Sequence, residues 1–232
     1  NIDNETMGEF VIGSAGGVNI SASMQYEEVA PEEGDIAVKV TLKNLRGGHS
    51  GLEINQGRAN ANKLMARFVR QAIADDEARL ASWNGGNMRN AIPRTAQVVL
   101  TIPAENLEDL KDLAAYCEGV FASEFYGVEE GISLTVEPVE LPAGEVPVEI
   151  QDNLVDALMA CHDGVLRNIP SIPSVVETSS NLGIVEIGAG EAKVLILARS
   201  SNDTMMEYIQ EMQECCFNMA GMKVEYGGQY GA

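Results

Sequence analysis

The chain has 232 residues, 45% of them hydrophobic and 22% charged, with a formal net charge of −20. That charge repels phosphate backbones, and the 15 Lys and Arg residues are scattered, so nucleic acid is excluded as a partner. No run approaches the roughly 20 apolar residues that span a bilayer, and the N-terminus lacks a charged-then-apolar signal pattern, so a cytoplasmic protein with no membrane partner is expected.

The first element with a clear period is Ile36–Leu42, where Ile36, Val38, Val40 and Leu42 alternate with Ala37, Lys39 and Thr41 as in a strand with one buried face. After a glycine-rich turn, Leu64, Met65, Phe68, Val69, Ala72 and Ile73 form one apolar helical stripe. Arg79–Trp83 reads as a short strand, and Val98, Leu100 and Ile102 as another that ends at Pro103. Asn106 is placed to cap a helix carrying Leu107, Leu110, Ala114, Cys117 and Phe121, and Ile132, Leu134 and Val136 form the next strand.

Residues 36–139 thus read β-α-β-β-α-β, a ferredoxin-like arrangement. Pro138, Pro142 and Pro147 mark a linker. A second series follows: a helix with Leu154, Val155, Leu158 and Cys161, strands at Val175–Ile187 and Lys193–Arg199, a helix at Asp203–Ala220 stopped by Gly221, and a strand at Lys223–Tyr226. Its missing first strand is sought upstream, in Glu9–Ile12 or Ile20–Tyr26. The predicted fold is therefore α+β, a two-layer sandwich of mostly antiparallel sheet with helices on one face. It divides into a lead-in with the first strands (1–35), a ferredoxin-like half (36–141) and a second similar half (142–232). Cys117, Cys161, Cys215 and Cys216 fall in helical stretches, two of them adjacent, which predicts reduced core thiols.

Hydrolytic metal sites need several converging His, Asp, Glu or Cys ligands, and with only His49 and His162 this sequence cannot build a histidine-rich centre. The segment Arg46-Gly47-Gly48-His49-Ser50-Gly51 stands out. Its glycines permit a tight turn that holds the imidazole outward, either as a simple surface turn or as a donor to an oxyanion. His162, before Gly164, suits a helix C-terminus as a cation. Gly85–Pro93 is a hairpin loop or a means of presenting Asn90. Thr178-Ser179-Ser180-Asn181-Leu182-Gly183 is a turn or a second set of hydrogen-bonding groups. Arg199, at a strand end, fits a carboxylate clamp or a structural ion pair.

Taken in order, Asn1-Ile2-Asp3, Ser14-Ala15-Gly16-Gly17, Leu45–Gly51, Asn90-Ala91-Ile92-Pro93, Thr178–Gly183 and Arg199-Ser200-Ser201 resemble the M20 metallopeptidase family, in particular its Xaa-His dipeptidase branch. The resemblance covers nearly the whole chain. It implies a two-domain enzyme in which a catalytic domain binds two zinc ions and an inserted lid closes over a dipeptide. This chain corresponds to the lid, which also supports a homodimer. Carried over residue by residue, His49 would stabilise the tetrahedral intermediate, in many members from the partner subunit. Arg199 would take the substrate carboxylate, and Asn90, Asn181 and Thr178 would lie near the substrate. Asp3 would be the one metal ligand, too isolated to hold zinc tightly. Asn55 stands where close relatives would have a histidine. The family implies that the lid is inactive alone, its zinc ions being held by the catalytic domain. A stand-alone ferredoxin-like binding or oligomerisation module is the alternative.

Overall fold

Alternation of apolar and polar residues lays down a single large sheet in the computed structural model, which describes residues 15–230. In chain order the elements are β1 (Gly16–Gln25), β2 (Asp35–Lys43), β3 (Gly48–His49), α1 (Ala61–Asp75), β4 (Arg79–Gly85), β5 (Ala91–Ile92), β6 (Ala96–Pro103), α2 (Leu107–Glu124), β7 (Ser133–Val139), α3 (Val148–Ala160), β8 (Gly164–Ile169), β9 (Ile172–Gly188), β10 (Glu191–Ser200), α4 (Asp203–Met219) and β11 (Lys223–Tyr230).

The first unit, β2-α1-β4-β6-α2-β7, has the spatial strand order β7-β2-β6-β4, all antiparallel. The second has the order β11-β1-β10-β9, the same pattern, once β1 is counted as its first strand. Ile20 lies in β1, so the missing strand is the second of the two candidates; Glu9–Ile12 lies outside the described residues. The second unit is therefore interrupted, with the first inserted between β1 and α3. The units join edge to edge where Trp83, Asn84 and Gly85 of β4 pair with Ile187, Glu186 and Val185 of β9.

The helices lie side by side in the order α2-α1-α3-α4, and the inward faces of strands and helices merge into one core that includes Phe68, Phe121, Phe217, Leu100 and Ile196. Trp83 is buried at the junction and donates its indole N–H to Asn62 Oδ1 at 3.1 Å. The fold is α+β, as the sequence predicts.

Several details differ from expectation. Asn106 occupies the N-cap position of α2, as expected, but its side chain makes no capping hydrogen bond: its Nδ2 donates to the Asp76 carbonyl, and a 3₁₀ turn (Ala104–Asn106) leads into the helix. Pro138 lies inside β7 rather than in a linker, tolerated because β7 is an edge strand of the sheet. β8, too irregular in its alternation to read as a strand, forms a hairpin with β9. Cys117, Cys161 and Cys216 are free and buried as expected, but Cys215 is exposed, because adjacent residues on a helix point about 100° apart.

His162 is not a helix-terminal cation. Burial pulls the imidazole below its usual pKa, its Nδ1 meets Ser180 Oγ at 2.7 Å, and the positive charge at the end of α3 comes instead from Lys63. The Lys63 ammonium donates to the carbonyls of Leu158, Met159 and Cys161 at 2.8–2.9 Å. It thereby satisfies acceptors that the helix end leaves unpaired.

Candidate functional site

Side chains on the strands alternate between the helix-covered face and the opposite face. On β10, Val194, Ile196 and Ala198 enter the core, so Leu195, Leu197 and Arg199 project from the other side. It is on this side that three of the distinctive sequence segments meet.

The histidine loop and the Asn90-Ala91-Ile92-Pro93 segment form a small ribbon, with Gly48 opposite Ile92 and His49 opposite Ala91. Ser50 N–H donates to the Asn90 carbonyl at 2.9 Å, extending it. The third segment anchors the ribbon from below: Asn181 Nδ2 donates to the carbonyls of Arg89 at 3.0 Å and Ala91 at 2.9 Å. Close approach here demands glycine, since a Cβ on Gly86 would stand 1.9 Å from the Gly183 carbonyl oxygen, and one on Gly183 2.8 Å from Arg89 Cα.

His49 and Arg199 flank the same residue. A Cβ on Gly51 would lie 3.2 Å from His49 Cε1 and 3.1 Å from Arg199 Nε. His49 Nδ1 accepts the backbone N–H groups of Gly51 and Leu52, both at 3.1 Å. Two donors aimed at Nδ1 require a lone pair there, so the imidazole proton sits on Nε2 and that nitrogen is a donor. Arg199 Nη1 donates to the Tyr230 hydroxyl at 3.0 Å, while its Nε is buried with no hydrogen-bond partner among the described residues. A cavity of about 550 Å³ opens beside it, lined in part by Asn19, Asn90, Leu195, Leu197, Arg199 and Tyr230.

Arg199 and Asn90 thus share one cavity with His49 at its side, and Asn181 lies fully buried beneath the loop that carries Asn90. Thr178 is elsewhere. It is fully buried on the helix side of β9, where its hydroxyl meets Ser200 Oγ at 2.9 Å. Asn55 is exposed in the histidine loop. Asp3 lies outside the described residues. Among the described residues no three His, Cys, Asp or Glu side chains are placed to hold a metal.

Asn19, Tyr230, Glu53, Arg58 and Glu129 also stand at or around the site, although no clear local sequence pattern marks them as such. Glu53 and Arg58 carried a weak signal, as opposite charges five residues apart in a glycine-rich loop. Glu129 carried none, because it reaches its partners from a distant segment: its carboxylate accepts from Arg46 N at 2.6 Å and Ala59 N at 2.9 Å, closing both ends of the histidine loop.

These features define an α+β domain of two ferredoxin-like units with a cavity of mixed polar and apolar lining on its open sheet face. Comparison with known proteins places it further: residues 40–129 match the M20 family's peptidase dimerisation domain, and the chain carries that domain. The chain is 34% identical over 230 residues to the cytosol non-specific dipeptidase of Escherichia coli (strain K12), a match covering 99% of this chain and 47% of that protein. Its fold superposes on the aminoacylhistidine dipeptidase of Vibrio alginolyticus with a TM-score of 0.95 at 36% identity, covering 98% of this chain and 46% of that one. The chain therefore spans about half the length of these relatives.

Proposed function

We propose that this chain is the lid and dimerisation domain of a dipeptidase, inactive alone, that supplies an oxyanion donor and a carboxylate clamp to a site completed by a catalytic domain. The observation that carries the reading is that His49 and Arg199 flank Gly51. In a dipeptide the scissile carbonyl carbon and the C-terminal carboxylate are separated only by one nitrogen and one α-carbon, so donor and clamp must stand side by side. Each additional residue would carry the carboxylate roughly 3.5 Å further away.

In this mechanism Arg199 receives the substrate carboxylate through charge-assisted hydrogen bonds, using the buried Nε that has no partner within the described protein. His49 Nε2–H points at the scissile carbonyl oxygen and strengthens its bond as negative charge develops there. Asn90 offers its amide to the peptide from the cavity rim. Asn181 and Thr178 act at one remove, Asn181 by holding the Asn90 loop and Thr178 by packing against Ser200 under the Arg199 strand end. Two zinc ions are proposed to reside in the catalytic domain, with Asp3 contributing at the join. The parent would be a cytoplasmic homodimer. Its relatives frame the substrate question, one being named for aminoacylhistidine and the other as non-specific. Xaa-His dipeptides are the proposed preferred substrates.

The test is to compare a dipeptide, its C-terminal amide and a tripeptide with the full-length enzyme carrying Arg199 or Arg199→Ala. The reading predicts that the unmodified enzyme strongly prefers the free dipeptide. Arg199→Ala should lower kcat/KM for it by about 100-fold and leave the amide almost unchanged. Equal losses on dipeptide and amide would contradict the clamp. A set of Xaa-His and Xaa-Leu dipeptides decides the narrower preference.

A further inference from the structure

The histidine loop contains an ion pair that the catalytic reading does not use. Arg58 Nη2 donates to Glu53 Oε1 at 2.5 Å, and Arg58 Nη1 donates to the Gly47 carbonyl at 2.5 Å. The other carboxylate oxygen, Glu53 Oε2, accepts the backbone N–H of His49 at 2.7 Å. Going round, Gly47 C=O, Arg58, Glu53 and His49 N–H form a closed bracket across the two peptides that flank Gly48. Only glycine fits inside it: Gly48 has φ +147°, and a Cβ there would stand 2.1 Å from Arg58 Nη1 and 2.7 Å from Glu53 Oε2.

Glu53 also grips His49 from the other end, its own N–H donating to the His49 carbonyl at 3.1 Å. The resulting turn is what points Gly51 N–H and Leu52 N–H at His49 Nδ1. The Arg58 side chain is only 9% exposed, so its charge is paired largely within the bracket. The Glu53 carboxyl is held below the usual carboxylate range, first by the His49 N–H and then by Arg58.

We propose that Glu53, braced by Arg58, is the positioning residue for His49: by holding the turn 49–53 it fixes the imidazole as the Nε2–H tautomer and aims that hydrogen. A carboxylate suits this role because it accepts from two different groups at once, one on each oxygen. The substitution Glu53→Gln keeps an acceptor for His49 N but loses the ion pair, whereas Glu53→Ala loses both. The consequence for turnover rests on His49 being the oxyanion donor. The consequence for the tautomer does not.

Two measurements test the proposal separately. With only His49 and His162 in the chain, histidine-selective ¹⁵N labelling gives two imidazoles, and a His49→Asn variant assigns them. In mildly alkaline buffer His49 should show a protonated Nε2 and an unprotonated Nδ1. Glu53→Ala should move those nitrogen shifts toward the exchange-averaged values of free imidazole, with Glu53→Gln between. His162 should not change.

In the full-length enzyme, Glu53→Ala should lower kcat by about 10- to 100-fold, with KM within about twofold and Glu53→Gln partly restoring turnover. Imidazole shifts unchanged in a folded Glu53→Ala chain overturn the proposal. Shifts that move while kcat does not leave the positioning intact and remove His49 from the reaction. If Glu53→Ala fails to fold, Glu53→Gln and Arg58→Met carry the same test, and shifts unmoved in both overturn it.

Discussion

At the residue scale, the imidazole of His49 takes its direction from backbone donors. Gly51 N–H and Leu52 N–H fix where its proton resides. Glu53, whose pKa is lowered in the folded loop, gives this arrangement a pH dependence. A carboxyl whose folded pKa is depressed stabilises the fold above its unfolded pKa, and that contribution is lost as pH falls through the folded value. Acidification below the ordinary carboxylate range should therefore reduce hydrogen-exchange protection of the His49 amide before that of β2. Equal loss in both would count against a pH-sensitive bracket. Gly48→Ala should cost about 1–3 kcal/mol, since it strains the backbone and drives a Cβ into Arg58 and Glu53; denaturant titration measures this. The sequence pointed to His49, Asn90 and Arg199 because unusual residues in glycine-rich or strand-end settings are visible locally. Glu53 and Glu129 were not legible as partners, because which backbone N–H a carboxylate meets is decided by the loop's path and by segments far along the chain.

At the element scale, hydrophobic period placed most of the strands and helices, because each buries one face against the same core. What it could not show was how the ends are satisfied. The terminal carbonyls of α3 are held by Lys63, which projects from α1, and α1 itself is capped by Asn60, whose Oδ1 accepts from Asn62 N at 2.9 Å. Asn60 Nδ2 also donates to Asp163 Oδ1 at 2.8 Å. Replacing Lys63 with Met should cost about 2 kcal/mol by denaturant titration, since it leaves part-buried carbonyls without a charged donor; Lys63→Arg should recover part of that loss. A change within about 0.5 kcal/mol for Lys63→Met would show that water replaces the ammonium adequately.

At the scale of the whole molecule, two ferredoxin-like units pair through β4 and β9, one interrupted by the other. The sequence revealed the second unit's order of elements but left two candidates for its first strand, since strand identity in a sheet depends on pairing partners that local pattern does not encode. Shared sheet and core predict one cooperative unfolding transition. The single tryptophan, Trp83, reports the junction, so its fluorescence and far-ultraviolet circular dichroism should give coincident denaturation curves. Separated midpoints would show that the units unfold independently.

On the proposed function, this chain lends a reacting site its oxyanion donor. The most direct test is His49→Ala in the full-length enzyme, with kcat on an Xaa-His dipeptide and bound metal measured on the same sample. The account predicts a fall in kcat of about 100- to 1000-fold with metal content unchanged. Turnover equal to the unmodified enzyme would contradict it.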